Sequence, residues 1–192
     1  MKLALMLLSA LFALSTAAQP GRFDKVEIKT TQLAQNVYLL EGEGGNIGVS
    51  AGEDGVFLID DQFAPLTPRI LAAIKAFSDK PVRFLINTHW HFDHTGGNEN
   101  HGASGVVIVA QDNVRKRLST KQLIEFFKAP YGPAAPAALP VITFTNTVTF
   151  HLNGDEATAM HVPNAHTDGD SIIHFRNANV VHMGDTYFAG MY

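Results

Sequence analysis

The sequence has 192 residues and contains no cysteine, which excludes a disulfide framework and any thiolate metal ligand. Its 14 Lys and Arg against 18 Asp and Glu give a formal charge of −4, and this acidic balance argues against nucleic acid or an anionic membrane as the partner. We expect a small-molecule substrate, whereas composition says nothing about the oligomeric state.

The first 18 residues have the pattern of a cleaved secretory signal peptide. Lys2 precedes an apolar run over 3–14, and small residues follow over 15–18, the usual order of basic start, apolar centre and cleavage site. The run is shorter than the roughly 20 residues of a membrane-spanning helix. We therefore expect a periplasmic or secreted protein without a stable membrane anchor, such an anchor being the alternative. Removal of Lys2 leaves 13 basic against 18 acidic residues, a formal charge of −5.

The remaining residues, 19–192, are enough for one domain with a substantial core. Short β-branched or aromatic runs separated by glycine clusters predict an antiparallel meander at its start. The predicted strands cover 26–30, 37–41, 47–50 and 56–60. Apolar residues close to helical spacing then predict a helix over 65–77, with prolines near its start where they are tolerated.

The next segments indicate a strand-helix alternation. An apolar strand over 82–86 leads directly to a cluster of histidines, and a second strand over 106–110 precedes an amphipathic helix over 113–127. Open α/β sheets place ligands beyond the carboxyl ends of their strands. The histidine cluster therefore occupies a position that favours a ligand site.

The last part of the sequence is rich in strands. The stretch over 129–136 has too many prolines for a helix or a central strand, so we expect a loop there. Alternation of apolar residues then predicts strands within 141–152 and over 157–162, 171–175 and 180–183. Together the segments predict a sheet-rich α/β domain with helices outside.

Three imidazoles and a carboxylate stand within six residues, HWHFDH over 89–94, and this spacing suits one or two divalent metal ions. Zinc favours tetrahedral nitrogen and oxygen ligands, and His89 and His91 can converge on one ion only if a third ligand comes from elsewhere. His166 is the candidate, because it lies between Pro163 and Gly169 just before a predicted strand.

Asp93 and His94 follow at once and point differently, so they would suit a second ion. Asp185 lies at the end of another apolar strand and could bridge two ions with its two oxygens, since paired ions about 3.5–4 Å apart are a known hydrolytic device. The alternative is a polar loop that caps a helix, with Asp93 as the capping residue.

The segment THWHFDHTGG over 88–97 resembles the signature loop of the metallo-β-lactamase superfamily. The strand end Leu58-Ile59-Asp60 resembles that family's first motif, His166 its third and Asp185 its fourth, in the family's order and over roughly residues 37–188. The resemblance implies an αββα sandwich with a one- or two-metal centre between its sheets. Zinc is the expected metal, with iron or manganese as alternatives.

The resemblance also implies roles for the site residues. His89, His91 and His166 would bind the first metal, Asp93 and His94 the second, and Asp185 would bridge, while Asp60 would support the loop. In the family's mechanism a metal-bound hydroxide attacks a carbonyl carbon and Asp93 orients it as the catalytic carboxylate. The implied activity is a zinc-dependent hydrolase acting on an amide, ester, lactone or thioester, as in β-lactamases and their hydrolase relatives.

One feature departs from the family pattern. The family has a further metal-binding histidine tens of residues after the bridging aspartate, whereas this sequence stops at Tyr192. We therefore expect a partial copy of the domain, in which the second half of the sandwich is incomplete. The alternative function is a catalytically impaired metal-binding remnant. Redox chemistry at a di-iron centre, as in flavodiiron relatives, conflicts with the second-site pattern and with the lack of a flavin-binding region.

Five other histidines alternate with apolar neighbours or stand at predicted strand ends. We expect each of them to be an exposed or core-edge residue. They are His101, His151, His161, His174 and His182. Trp90 and Phe92 alternate with the proposed ligands, so we expect them to anchor the loop in the core, although Trp90 could instead face the substrate.

Overall fold

The structure, a computed structural model, describes residues 21–124 and 129–188. The strands are, in chain order, β1 (Lys29–Ala34), β2 (Val37–Glu41), β3 (Ile47–Gly52), β4 (Gly55–Ile59), β5 (Val82–Asn87), β6 (Val107–Gln111), β7 (Gln122–Ile124), β8 (Ala129–Tyr131), β9 (Ile142–Phe144), β10 (Thr147–Leu152), β11 (Asp155–His161), β12 (Ser171–Phe175) and β13 (Val180–His182). The helices are α1 (Thr67–Lys75), α2 (Phe92–Thr95), α3 (Asn98–Ala103) and α4 (Asp112–Leu118), with 3-10 turns at Ala64–Leu66, Pro136–Ala138 and Gly184–Thr186.

Two large sheets and a small hairpin make up the strand framework. The first sheet has the order β1-β2-β3-β4-β5-β6-β9 and the second the order β10-β11-β12-β13, while β7 and β8 pair with each other. Strands β1 to β4 form the predicted antiparallel meander. From β4 onwards the first sheet is parallel, and the second sheet is antiparallel throughout.

Two hydrophobic cores lie on opposite faces of the first sheet, because successive side chains of a strand point to opposite faces. Val56 and Leu58 of β4 pack towards Ile70 and Ile74 of α1 in one core. Their neighbours Phe57 and Ile59 pack towards the second sheet in the other core. The first sheet is therefore sandwiched between the helices and the second sheet.

The outer face of the second sheet carries exposed or half-buried polar side chains such as Thr149, Thr158 and His174. No helix within 21–124 or 129–188 packs on that face. The described residues thus form three layers, helix, sheet and sheet. This arrangement confirms the predicted sheet-rich α/β sandwich, and within the described residues its second half lacks a covering helix layer.

The predicted helix over 113–127 is wrong beyond its first two turns. Helix α4 ends at Leu118, and the hydroxyls of Ser119 and Thr120 donate to the carbonyls of Arg115 and Lys116 one turn earlier. Such bonds compete with continuation of the helix, and the chain turns into β7. Residues 125–128 lie outside the described residues.

Smaller differences occur at other predicted boundaries. The first strand runs over Lys29–Ala34 rather than 26–30, because Val26 packs against the helix-side core instead of pairing in the sheet. The predicted loop over 129–136 begins with the short strand β8, and a strand of a two-stranded hairpin tolerates its proline.

Among the described residues, no helix has both the length and the apolar character needed to cross a bilayer. The predicted signal peptide over 1–18 lies outside those residues.

Candidate metal centre

Three chain segments bring the predicted ligands to one end of the sandwich. His89 and His91 follow β5, and Asp93 and His94 belong to the single turn of α2. His166 lies in the loop between β11 and β12, and Asp185 lies in the 3-10 turn after β13. Both sheets therefore contribute to the site. The assignment of these side chains as metal ligands stays a prediction.

The first group consists of His89, His91 and His166, which each offer one ring nitrogen, and these nitrogens all lie within 4.8 Å of one another. His166 Nε2 lies 3.0 Å from His91 Nδ1. The three rings are close to perpendicular to one another, with ring planes at 80° to 89°. Three imidazole nitrogens that face a common point match the donor set of a catalytic zinc site.

The second group consists of His89, His94 and Asp185, again with ligand atoms within 4.8 Å of one another. Asp185 Oδ1 lies 3.1 Å from His94 Nε2, whereas Asp185 Oδ2 lies 3.5 Å from His166 Nε2. The two carboxylate oxygens thus face different groups, as expected for a bridging ligand. Asp185 is therefore positioned between the two groups.

The second group differs from the one that the resemblance implied. His89 belongs to both groups, because its ring centre lies 4.2 Å from that of His94. Asp93 is not a member of either group, but its Oδ2 lies 3.7 Å from His94 Nε2 at the border of the second. The geometry thus groups His94 with His89 and Asp185 rather than with Asp93, and the assignment of Asp93 and His94 to a second ion stays a prediction.

Asp60 supports the histidine loop from beneath, as the resemblance implied. The residue is fully buried, and its Oδ1 accepts a hydrogen bond of 2.7 Å from the backbone N–H of Thr88. Its Oδ2 accepts a second bond from the Thr88 hydroxyl and a third from His94 Nδ1, both at 2.7 Å. Asp60 therefore fixes the start of the loop and the orientation of one proposed ligand.

These bonds also determine which ring nitrogens are free to bind a metal. Because the Thr88 hydroxyl donates to Asp60, it accepts from His89 Nδ1, 3.0 Å away. The lone pairs of His89 and His94 are thereby left on Nε2. Both Nε2 atoms are buried. Within the described residues His89 Nε2 has no hydrogen-bond partner, and His94 Nε2 faces Asp185 Oδ1 at 3.1 Å. Buried polar atoms are seldom left unpaired, and a divalent cation would satisfy His89 Nε2 beside a carboxylate of opposite charge, so the residues fit such an ion.

The protonation of the site agrees with this fit. Burial, reinforced by neighbouring histidines, lowers the pKa of His89 well below the ordinary value and also lowers the pKa of His91, which favours neutral rings near pH 7. Burial opposes the charged form of His94 too, but the carboxylates of Asp60 and Asp185 outweigh it and raise the pKa to about 10. The carboxylates around His94 thus stabilise a positive charge at this position. A bound metal ion can supply that charge in place of the proton.

Glycine at two positions lets the segments approach this closely. A Cβ at Gly45, in the β2–β3 loop, would lie 2.1 Å from Cε1 of His94, and one at Gly184 would lie 2.8 Å from Cβ of Thr88. Gly184 also has a left-handed φ of 51°. Neither residue was identified as part of the site from sequence, although the glycine cluster over 42–45 was a visible signal.

A buried amide pair behind the loop was also missed. Asn87 and Asn98 exchange two side-chain hydrogen bonds of 3.0 and 2.9 Å, and Asn98 Nδ2 also donates to the Ala138 carbonyl. The pair joins the end of β5 to α3. Isolated asparagines offer no sequence signal for such a pairing.

The remaining sequence expectations have mixed outcomes. His101 is only 2% exposed and lies in neither group, and burial lowers its pKa to about 4, so the expectation of an exposed or core-edge residue was wrong. His161 Nδ1 pairs with the Asp170 carbonyl. Trp90 and Phe92 are half-buried rather than in the core, and Phe92 stacks on Tyr131 of the β7–β8 hairpin. Phe92 therefore anchors the loop to that hairpin.

Comparison with known proteins gives consistent results. A family model described as the metallo-beta-lactamase superfamily matches residues 30–191. Among solved structures, a metallo-beta-lactamase with a HARLDQ motif from Cronobacter sakazakii matches with a TM-score of 0.69 and 20% identity, covering 81% of this chain and 61% of that one. A subclass B3 metallo-beta-lactamase of Bradyrhizobium japonicum matches with a TM-score of 0.64 and 21% identity, covering 80% and 59%. At these identities the likeness shows the fold alone.

A curated relative, the alpha subunit of 2,4-dinitroanisole O-demethylase from Nocardioides sp. (strain JS1661), is 24% identical over 143 residues. The match covers 72% of this chain but 40% of that relative. The chain thus spans less than two thirds of that relative and of the two structures named above. The family model, however, matches most of the sequence. The chain therefore belongs to the metallo-beta-lactamase superfamily.

Proposed function

We propose that this chain forms the metal centre of a zinc-dependent hydrolase that acts on an amide, ester, lactone or thioester carbonyl. One observation carries the proposal: two groups of ligand atoms share His89, and the two oxygens of Asp185 face different groups. Paired ions in such an arrangement serve hydrolysis in many enzymes. Membership of the superfamily supports the same reaction class.

The chain's own residues have distinct tasks in this proposal. A divalent metal would supply Lewis acidity, polarising a carbonyl oxygen and acidifying water. His89 and His91 would hold it as neutral donors, and Asp60 keeps His94 oriented towards the site. The side chain of Asp93 is 31% exposed, so its carboxylate can reach solvent at the border of the second group. Asp93 is accordingly our candidate for orienting the attacking water and accepting its proton.

The space beside the site suits a small molecule. A cavity of about 640 Å³ reaches Asp93, His94 and Asp185 and continues along apolar side chains that include Tyr38 and Phe188. Sites for small ligands have volumes of roughly 300–1,000 Å³. The cavity therefore supports a small, partly apolar substrate.

The signal-like segment over 1–18 supports activity outside the cytoplasm, which N-terminal sequencing of the exported protein checks.

The proposal is tested by zinc stoichiometry combined with a substrate panel. The purified chain, loaded with zinc, is assayed with nitrocefin, a lactone, a thioester and, because of the demethylase relative, 2,4-dinitroanisole. His89→Ala removes the ligand common to both groups, so zinc binding and turnover should both be lost. His151→Ala is the matched control, since His151 is exposed on β10.

The outcomes separate the two candidate functions. Zinc binding that depends on His89, together with turnover of any panel member, supports the hydrolase. Zinc binding without turnover favours the metal-binding remnant. Stoichiometric zinc retained by the His89→Ala chain contradicts the ligand set itself.

A further inference from the structure

His166 differs from the other members of the first histidine group in how it is held. His89 is fully buried at the end of β5, whereas the side chain of His166 is 29% exposed. His166 also comes from the second sheet, while His89 and His91 come from the first. The separation of the three ring nitrogens therefore depends on whatever fixes the loop over 162–170 to the first sheet.

The base of that loop is fixed by hydrogen bonds within the loop and to Thr88. The backbone N–H of Val162 donates to the Asp170 carbonyl at 2.8 Å, and that of Ser171 donates to the Thr88 carbonyl at 2.9 Å. The Asp170 carboxylate also accepts from the backbone and hydroxyl of Thr167. These contacts shape the turn, but those of Asp170 and Thr167 lie within the loop itself and do not join its tip to the first sheet.

The tip of the loop is held by α4, which packs against β6 and β9 of the first sheet. Arg117 donates three hydrogen bonds to the Asp168 carboxylate, from Nε at 3.2 and 3.1 Å and from Nη2 at 2.8 Å. Asn113 Nδ2 donates to the Asp168 carbonyl at 2.8 Å. Gly169 lies so close that a Cβ there would stand 2.9 Å from Cγ2 of Val114. One face of α4 thus contacts Asp168 and Gly169, shortly after His166, and holds them in place.

We propose that Arg117 and Asp168 are positioning residues that set the distance of His166 from the His89 and His91 pair. The inference rests on the proposed function, because it assumes that these histidines hold a metal. Bidentate arginine-carboxylate contacts fix orientation as well as distance, and this one joins α4, a helix packed on the first sheet, to the loop between β11 and β12 of the second sheet.

A second ion pair of the chain provides a contrast. Arg176 and Glu156 share one hydrogen bond of 2.9 Å, and both residues belong to the second sheet or its adjoining turn. The side chains of both pairs are exposed, 43% and 42% for Arg117 and Asp168 and 71% and 41% for Arg176 and Glu156, and exposed pairs as such contribute little to stability. If Arg117 and Asp168 were only such a pair, their loss would affect the metal site no more than loss of Arg176.

The test measures zinc affinity of the full chain by competition with a chromophoric chelator. The variants are Arg117→Gln, Asp168→Asn, their combination, and Arg176→Gln as the control. Residues that orient metal ligands typically change affinity 10- to 100-fold, so each single variant should weaken zinc binding about tenfold and the combination no further. Visible absorption of the Co²⁺ form and hydrogen exchange of the amides over 163–170 report on ligand geometry and loop order without any turnover. Arg117→Lys, which keeps the charge, should recover part of the affinity.

Two results would overturn the inference. In one, Arg117→Gln binds zinc as tightly as Arg176→Gln does. In the other, the single effects simply add in the double variant, which shows that the two residues act separately. A His166→Ala chain is measured in parallel: if it binds zinc normally, the proposed metal centre fails, whereas loss of binding there with no effect at Arg117 rejects the positioning role alone.

Discussion

Asp60 illustrates how one residue can determine the chemistry of several others. Its backbone has a left-handed φ of 62°, a conformation that costs a non-glycine residue free energy and often occurs at functional sites. That conformation accompanies the three hydrogen bonds that hold Thr88 and His94. Removing one partner of such a buried network leaves unpaired groups in a low-dielectric interior. The proposed ligands are therefore oriented before any metal binds.

The raised pKa of His94 predicts an alkaline loss of stability in the metal-free chain. In the folded chain the ring keeps its proton up to about pH 10, whereas in the unfolded chain it releases the proton near pH 6.5. Its contribution is thus complete below pH 6.5 and is lost as the pH rises through about 10. Urea unfolding with a chelator present, from pH 6 to 10, measures this loss. The His94→Gln chain should lack this loss of stability. If the free energy of unfolding decreased equally with pH in both chains, the explanation would be contradicted.

At the scale of elements, the β2–β3 loop lies directly against the His94 ring of α2. Gly45 faces the ring of His94 with no room for a side-chain atom. Interiors packed this closely respond to even one added methyl group. The second ligand group therefore depends on a loop that contributes no ligand of its own.

Gly45→Ala should displace His94 and weaken the second zinc site at least tenfold, while the first site is retained. Overpacking of this kind also costs about 1–3 kcal/mol of stability, visible in urea unfolding. Gly132→Ala is the matched control, because among the described residues nothing lies within 4 Å of a Cβ there. If the Gly45→Ala and Gly132→Ala chains bound two zinc ions with the same affinities, the His94 ring would tolerate the added methyl group.

The elements that sequence predicted well are those determined by local pattern. The meander over β1 to β4 follows from apolar runs separated by glycine clusters. The spacing of the histidines over 89–94 was enough to indicate a candidate metal site. What sequence could not predict depends on distant partners. The bond between Arg117 and Asp168 spans 51 residues, and membership of His89 in both ligand groups depends on ring positions that spacing does not fix. The end of α4 was missed because apolar spacing continues past the hydroxyls that end the helix.

At the scale of the whole molecule, the proposed metal would tie the two sheets together. His89 and His91 follow β5 of the first sheet, whereas His166 and Asp185 lie in segments that follow β11 and β13 of the second. Because all four must be in place together, a metal that binds them binds only the folded chain. Metal binding should therefore raise the free energy of unfolding of the entire sandwich rather than of one loop.

The expected gain is about 2.7 kcal/mol when free zinc stands at 100 times its Kd, since a ligand that binds only the folded state stabilises it by RT ln(1 + [L]/Kd). Thermal or urea unfolding across a zinc titration measures the gain, and a chelator should reverse it. The His89→Ala chain should show none, because it lacks the ligand shared by both groups. If zinc stabilised that variant equally, the ion would be acting elsewhere on the chain. If zinc bound the natural chain without stabilising it, the ligands would already be close together in the unfolded state, and the metal would not be joining the two sheets.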